Sequence, residues 1–295
     1  MPKTEGIIHD VSDTAYWIAY YRGQESERTD ALFHDPLARE LAGEHGRKIA
    51  AHMPIPAMTA WTVVMRTRII DDFIQQAVAE GVDMVVNLGA GLDTRPYRLD
   101  LPEILTWIEI DKAHLLDYKI KKLADYSPRC KLLHHPLDLA NLQARRSCFQ
   151  GWNQRAKKIL ILTEGLMPYL SFEEASLLAQ DLRAMTQVKQ WIVEYHSPET
   201  LKFRNRGGMK KNMQNAPFKF IPTDWFGFFK AQGWQATEMR YYAEVCEDYQ
   251  RPAPYPWYLK TFFHMMRPFT PLETQKKLRR YAGYGLVIPI TEMKE

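Results

Sequence analysis

The middle of the chain carries five short apolar runs, each separated from the next by a stretch long enough for a helix. They are "MVVNL" (84–88), "ILTWIEI" (104–110), "CKLLHHP" (130–136), "KILILT" (158–163) and "QWIVEY" (190–195). A strand covered on one face alternates apolar and polar residues. Runs that are apolar almost throughout are covered on both faces, and parallel neighbours need a crossover connection between them. The spacing therefore predicts an α/β fold with a parallel sheet between two helical layers. Its helices are expected at Lys112 to Asp125, at about 141–150, and at Phe172 to Met185 with Ser171 as cap.

The flanks differ. Upstream, residues 12–24 read as a helix capped by Ser12 or Asp13. A short helix follows Asp35-Pro36, with Pro at its first position, and a long one runs from Thr59 to Glu80, stopped by Gly81. Downstream of Tyr195, residues 198–222 are polar and basic. A helix (Asp224 to Gln232), a strand (234–245), the Pro-rich "RPAPYPWYL" and a last strand (283–290) follow. The expected organisation is a single domain, 1–295, in four segments. These are a helical entry (1–80), a ligand-binding core (83–195), a cap with the acceptor region (196–270) and a final strand region (271–295).

Several function classes are disfavoured. A net charge of +4 over 295 residues is too mild to argue for nucleic acid or a membrane surface. Residues 49–65 carry no Asp, Glu, Lys or Arg but contain His52, Pro54 and Pro56, which disqualifies them as a span. The cysteines, Cys130, Cys148 and Cys246, form no CxxC pair, and there is no HExxH, so no metal site is expected. A sparse, odd cysteine count and an N-terminus unlike a signal peptide fit a cytoplasmic location.

The first run ends in "LGAGLDTR", with Gly89 and Gly91 at the carboxyl end of a strand, where open α/β sheets bind ligands. No Lys-Ser or Lys-Thr follows, which excludes a Walker-type phosphate loop. A dinucleotide fingerprint wants a third glycine where Thr94 stands. Asp111, twenty residues after Gly91, is placed to accept hydrogen bonds from ribose hydroxyls, as in both NAD and S-adenosylmethionine enzymes. Asp93 lies in the turn itself; a carboxylate there opposes a pyrophosphate but not a sulfonium, which favours S-adenosylmethionine. After the third run, Asp138 and Leu139 suit an adenine, or Asp138 caps the next helix. Glu164 ends a wholly apolar run, where a carboxylate needs a partner: it faces the ligands or pairs with an arginine. Positions 63, 66, 70, 73 and 77 share a helix face that is apolar except for Arg66, which suits the cofactor's carboxylate or the edge of the stripe.

Together these residues resemble the leucine carboxyl methyltransferase family, with its bacterial S-adenosylmethionine-dependent and tetracenomycin-type polyketide O-methyltransferase members. The resemblance is carried by "VSDTAYWIAYYRGQESERTDALFHDPLARELAG", "RTRIIDDF", "NLGAGLDTRPYRL", "IEIDKAHLLDYK", "LDL" (137–139) and "TEGLMPYL", in order. Ala113 stands where the family usually has proline. The resemblance implies a class I methyltransferase fold, a Rossmann-like seven-stranded sheet whose last strand is antiparallel. It implies S-adenosylmethionine contacts at Arg66, Gly89, Ala90, Gly91, Asp111, Lys112, Asp138, Leu139 and Glu164.

The expected reaction is in-line methyl transfer to an oxygen of a small-molecule acceptor, a carboxylate or a hydroxyl. Protein carboxyl-terminal methylation and, more distantly, an NAD-dependent oxidoreductase or a non-catalytic binding module are the alternatives. Glu164, Tyr195 and His196 are the candidates for acid–base work, and Tyr16 and Tyr20 for the acceptor site. Residues 200–223 hold Lys202, Arg204, Arg206, Lys210, Lys211 and Lys219 and no acidic residue, so this segment is expected to close over the pocket and favour an anionic acceptor. "YPWYLKTFFHMM" (255–266) is read as an apolar wall for a bulky substrate or as core.

Overall fold

A computed structural model describes residues 8–204 and 206–291, leaving the side chains of 203, 204 and 208–210 undescribed. The chain enters through three helices, α1 (Val11–Glu25), α2 (Pro36–His52) and α3 (Pro56–Ala79). Then β1 (Met84–Leu88), the single turn α4 (Arg95–Arg98), β2 (Thr106–Asp111), α5 (Ala113–Lys122), β3 (Lys131–Pro136), α6 (Leu142–Arg155), β4 (Ile159–Thr163), α7 (Phe172–Arg183) and β5 (Val188–His196) alternate. The remainder is α8 (Pro198–Arg204), α9 (Gly207–Asn212), α10 (Trp225–Ala231), β6 (Trp234–Tyr241), α11 (Tyr242–Val245), α12 (Trp257–Met266), α13 (Leu272–Arg279) and β7 (Ala282–Pro289).

The strands form one sheet in the order β3-β2-β1-β4-β5-β7-β6. The pairs among β1 to β5 are parallel, and β7 runs antiparallel to both β5 and β6. This is the seven-stranded topology expected, with the reversed last strand. Local signals set the helix ends. Asp35 caps α2 by accepting from Ala38 N, and Ser171 and Glu174 form a reciprocal capping box at α7.

Four of the five runs, β1, β2, β4 and β5, are largely buried on both faces, while the edge strand β3 is exposed or half-buried throughout. On one face Val86, Ile110, Ile161 and Val193 pack against Trp152 of α6, Leu178 and Leu182 of α7 and Phe229 of α10. On the other, Val85, Trp107, Leu160 and Ile192 pack against Ile70, Phe73 and Ala77 of α3. Because side chains alternate along a strand, β5 sends Trp191, Val193 and Tyr195 to the α7 face and Ile192, Glu194 and His196 to the α3 face. The reading of 255–266 as wall or core is corrected. No residue of α12 is buried, and Trp257 is 78% exposed. Lys260, Thr261 and His264 share one face of it, and the apolar face opposite, with Tyr258, Phe262, Phe263, Met265 and Met266, is left exposed.

No helix among the described residues is long and apolar enough to cross a membrane. Nor do the described residues contain a cluster of three His, Cys, Asp or Glu able to hold a metal ion.

Candidate active site

The turn after β1 is shaped by two glycines in the left-handed region, Gly89 at φ +72° and Gly91 at φ +53°, where a Cβ costs about 1–2 kcal/mol. Gly91 is also tight: a Cβ there would sit 3.2 Å from Ala15 of α1. Backbone N–H groups of Gly89 and Ala90 donate to Ile110 O at 2.8 and 3.0 Å, drawing the turn against the end of β2. There Asp111 accepts from Gly91 N and from Lys112 N, both at 2.7 Å. Burial nonetheless pushes its carboxyl above the ordinary value, outweighing those two donors and Lys112.

Behind the turn lies a buried charge network. Arg95 donates to Asp71 at 2.7 Å, to Asp93 at 3.0 Å and to Glu164 at 2.7 Å. Arg98 grips Asp71 with two bonds of 2.7 and 2.8 Å. Arg66 reaches Glu164 at 2.8 Å, an ion-pair contact without the alignment of a hydrogen bond. Arg22 donates to Asp35 at 2.9 Å, and Asp35 also accepts from Thr94 at 2.6 Å. Four arginines (22, 66, 95, 98) thus face four carboxylates (35, 71, 93, 164), so the cluster is neutral. Burial works to raise Asp93 and Glu164. Arg95 beside both, with Arg66 beside Glu164, overcomes it and holds both below the usual carboxylate range.

This network corrects one step of the sequence argument. Asp93 does not present a free negative charge to a ligand, because Arg95, two residues on, neutralises it. The preference for a sulfonium over a pyrophosphate rests on other residues.

A cavity of about 870 Å³ opens along the carboxyl ends of the strands. Gly89, Ala90, Gly91, Asp111, Lys112, Asp138, Leu139, Arg66 and Glu164 all line it, so nine residues from separate motifs share one space. Asp138 uses Oδ1 to accept from Ala140 N at 3.0 Å, and the cap of α6 is Asn141 instead. Glu164 and Arg66 are partners of each other, which bears out the arginine pairing, one of the two readings of Glu164.

The acceptor candidates divide. His196 and Arg206 line the cavity. Tyr195 is not a lining residue: strand alternation turns its ring to the α7 face, against Trp225 and Tyr241. Tyr16 and Tyr20 do not line it either. Tyr16 packs on His45 and Tyr118, Tyr20 on Tyr21, and α1 instead presents Thr14, Trp17 and Ile18. The side chains of Arg204 and Lys210 lie outside the described residues. Lys202, Lys211 and Lys219 are exposed and do not line the cavity, so Arg206 carries the described cationic charge of this segment into it. The segment does cover the site, through Thr200, Met213 and Phe218.

One residue was missed. Glu194 of β5 is 4% exposed and lines the cavity. Its Oε1 accepts from Met167 N at 3.0 Å, while Oε2 is buried without a hydrogen-bond partner. Burial pushes its carboxyl up to about 8. The signal was present: a lone Glu inside "WIVEY", the same situation as Glu164.

A family model for leucine carboxyl methyltransferase matches residues 15–183, more than half the chain, from α1 to the end of α7. The chain belongs to the leucine carboxyl methyltransferase family. Its relatives include a protein of Mycobacterium marinum, 32% identical over 65% of this chain and 67% of that one. Another, of Streptomyces avermitilis, is 30% identical over 82% of this chain and 89% of that one. Both carry names that give them, by inference, as S-adenosyl-L-methionine-dependent methyltransferases. Two solved structures share the fold. A duf574 family protein of Streptomyces avermitilis has a TM-score of 0.53 at 13% identity, covering 94% of this chain and 97% of that one. A protein of Thermobifida fusca, named by inference as a methyltransferase, has a TM-score of 0.53 at 11% identity, covering 98% of each.

This member of the family is therefore an S-adenosylmethionine-dependent methyltransferase. Its residues fit that cofactor. The glycine turn lines the cavity beside a carboxylate at the end of β2, and the charges behind the turn are already compensated, so no anionic ligand is demanded.

Proposed function

We propose that the enzyme methylates an oxygen of a small molecule with an apolar body, held inside the cavity. What supports this is the continuity of one enclosed space. It is lined both by Gly91, Asp111 and Asp138 and by the apolar side chains of Trp17, Ile18, Met58, Met213 and Phe218. Its volume of about 870 Å³ lies toward the upper end of the ~300–1,000 Å³ typical of small-molecule sites.

S-adenosylmethionine supplies a methyl group on a positively charged sulfur. In this reading the Asp111 carboxylate holds the ribose hydroxyls, and Asp138 and Leu139 meet the adenine. Arg66, steered by Glu164, takes the carboxylate of the methionine portion. Ala90 and Lys112 border the same ligand. The apolar wall and the segment 198–218 exclude water and align the acceptor, from which much of the rate can come. Arg206 favours an acceptor carrying negative charge elsewhere on its body. The three cysteines stay unpaired, in keeping with a cytoplasmic setting.

Titration calorimetry with S-adenosylhomocysteine, followed by transfer of labelled methyl groups in a cell extract, tests this. Label in an organic-extractable small molecule supports it. Label confined to protein carboxyl termini would replace it with protein methylation.

A further inference from the structure

The carboxylates around the cavity are spoken for in different ways. Asp93 and Glu164 are held by arginines, Asp111 by two backbone N–H groups, and Glu174 by the cap of α7. Glu194 keeps a buried oxygen, Oε2, with no partner. An unpartnered carboxyl oxygen costs roughly 1–3 kcal/mol to bury, so its retention in a ligand cavity asks for a use. We propose that Glu194 is the general base of the methyl transfer, and that the acceptor atom is therefore the oxygen of a hydroxyl, phenolic or alcoholic, and not of a carboxylate.

This rests on the methyltransferase reading of the cavity and adds to it the class of acceptor. The sheet order places Gly91, Asp111 and Asp138 at the ends of β1, β2 and β3. Glu194 stands on β5, beyond β4 on the other side of β1, about 10 Å across at ~4.8 Å per strand. Thr163, the last residue of β4, pairs with Val193, so Glu164, just past the end of β4, and Glu194 of β5 follow that pair. Adjacent carboxyls whose environments hold one ionised and leave the other protonated are the pattern of an assigned acid–base pair.

The groups facing Glu194 are consistent with that split. Arg66 of α3 favours its ionised form and Glu164 opposes it. Tyr284 of β7, with Tyr242 of α11 beside it, is itself held protonated by burial and by Glu194. His196 shares its face of β5. Arg66 is engaged by Glu164, so burial prevails and Glu194 titrates at about 8. A base in that range is well matched to a hydroxyl near neutral pH. An acceptor carboxylate is already ionised and needs no base, and an ionised Glu194 would repel it. In the step, the acceptor oxygen forms its bond to the methyl carbon as the carbon–sulfur bond breaks, the bonding pair leaving on sulfur. The hydroxyl proton passes to Oε2 of Glu194 and from there to solvent.

Two measurements on the full chain decide it. The first is infrared difference spectroscopy of the S-adenosylhomocysteine complex, wild type against Glu194→Gln. A protonated-carboxyl band that is lost between about pH 7 and pH 9, and absent in the variant, is expected. Ionisation of that carboxyl below about pH 6 would overturn the proposal. The second compares labelled methyl transfer to 2-naphthol and 4-hydroxybiphenyl with transfer to 2-naphthoate and biphenyl-4-carboxylate. The hydroxyl probes should be methylated, with kcat rising to a plateau above about pH 8. Glu194→Gln keeps the contact to Met167 N and should lose about 10²- to 10⁴-fold in kcat, with unchanged S-adenosylhomocysteine affinity. Glu194→Asp should recover part of it. Equal kcat in wild type and Glu194→Gln, methylation of the carboxylates alone, or no turnover of any hydroxyl by a protein that binds S-adenosylhomocysteine would each overturn it. Failure to bind S-adenosylhomocysteine at all would strike the methyltransferase reading instead.

Discussion

Replacing Arg95 by Met removes one cation from beneath three carboxylates. Arg95 is 1% exposed in its side chain, and Asp71, Asp93 and Glu164 are 6%, 5% and 10% exposed. Asp71 keeps Arg98 and Glu164 keeps Arg66, but Asp93 keeps only the hydrogen bonds from Asn87 Nδ2, at 2.9 Å, and from the backbone N–H of residue 95, at 3.0 Å. Breaking a buried pair from one side costs about 3–5 kcal/mol, because a desolvated charge is left behind. For 295 residues, an unfolding entropy near 2.1 cal/mol/K per residue turns 4 kcal/mol into a fall in Tm of about 6 °C.

The loss should depend on pH with a definite sign. Asp93 and Glu164 are depressed in the folded protein, so their contribution is present above the unfolded carboxylate pKa of about 4 and is lost as pH falls through the folded values. Without Arg95 burial raises both, and the variant is relieved as they protonate. Urea unfolding followed by tryptophan fluorescence at about pH 8 and pH 5 should show the gap between wild type and Arg95→Met narrowing in acid. A loss below about 1 kcal/mol, or a gap independent of pH, would refute the view that this network is an electrostatic unit.

Further outcomes follow from the same geometry. Asp111→Asn should weaken S-adenosylhomocysteine binding by about tenfold or more in calorimetry, since hydrogen bonds to a charged group are worth about 1.5–3 kcal/mol. Gly91→Ala should cost about 1–2 kcal/mol of stability in urea titration, because its φ of +53° disfavours a Cβ that would also press on Ala15. Tyr195→Phe should leave kcat within about twofold, its ring lying on the far side of β5 among apolar neighbours. Arg206→Ala should raise KM for an acidic acceptor in steady-state kinetics while leaving S-adenosylhomocysteine affinity unchanged.

What the residues disclosed before any coordinates follows from the range of the interactions involved. β1 falls at 84–88 as read, because an unbroken apolar run ends abruptly in two glycines. The helices around the sheet were legible from Pro36, Gly81 and Ser171, whose effects are local. The pairing of Asp93 with Arg95 is local, two residues apart in "DTR", but it depends on the turn of α4 that folds the guanidinium back onto the carboxylate. The pairing of Arg66 with Glu164, and of Arg22 with Asp35, joins residues distant in sequence and bound only by the fold. Glu194 was legible in kind, as a charge within a buried run. Its placement beside His196 on the cavity side needed only the alternation that turns Tyr195 away. The exposure of α12 was not legible, because an apolar helix face carries the same periodic mark whether it is packed on a core or left uncovered.

The most direct test is a crystal structure of the protein with S-adenosylhomocysteine. The account predicts the ligand in the cavity at the ends of β1 to β3, its ribose hydroxyls within about 3.2 Å of the Asp111 carboxylate. Its carboxylate should meet Arg66, and its sulfur should face the side of Glu164 and Glu194. A ligand bound elsewhere, or one whose ribose makes no contact with Asp111, would contradict it.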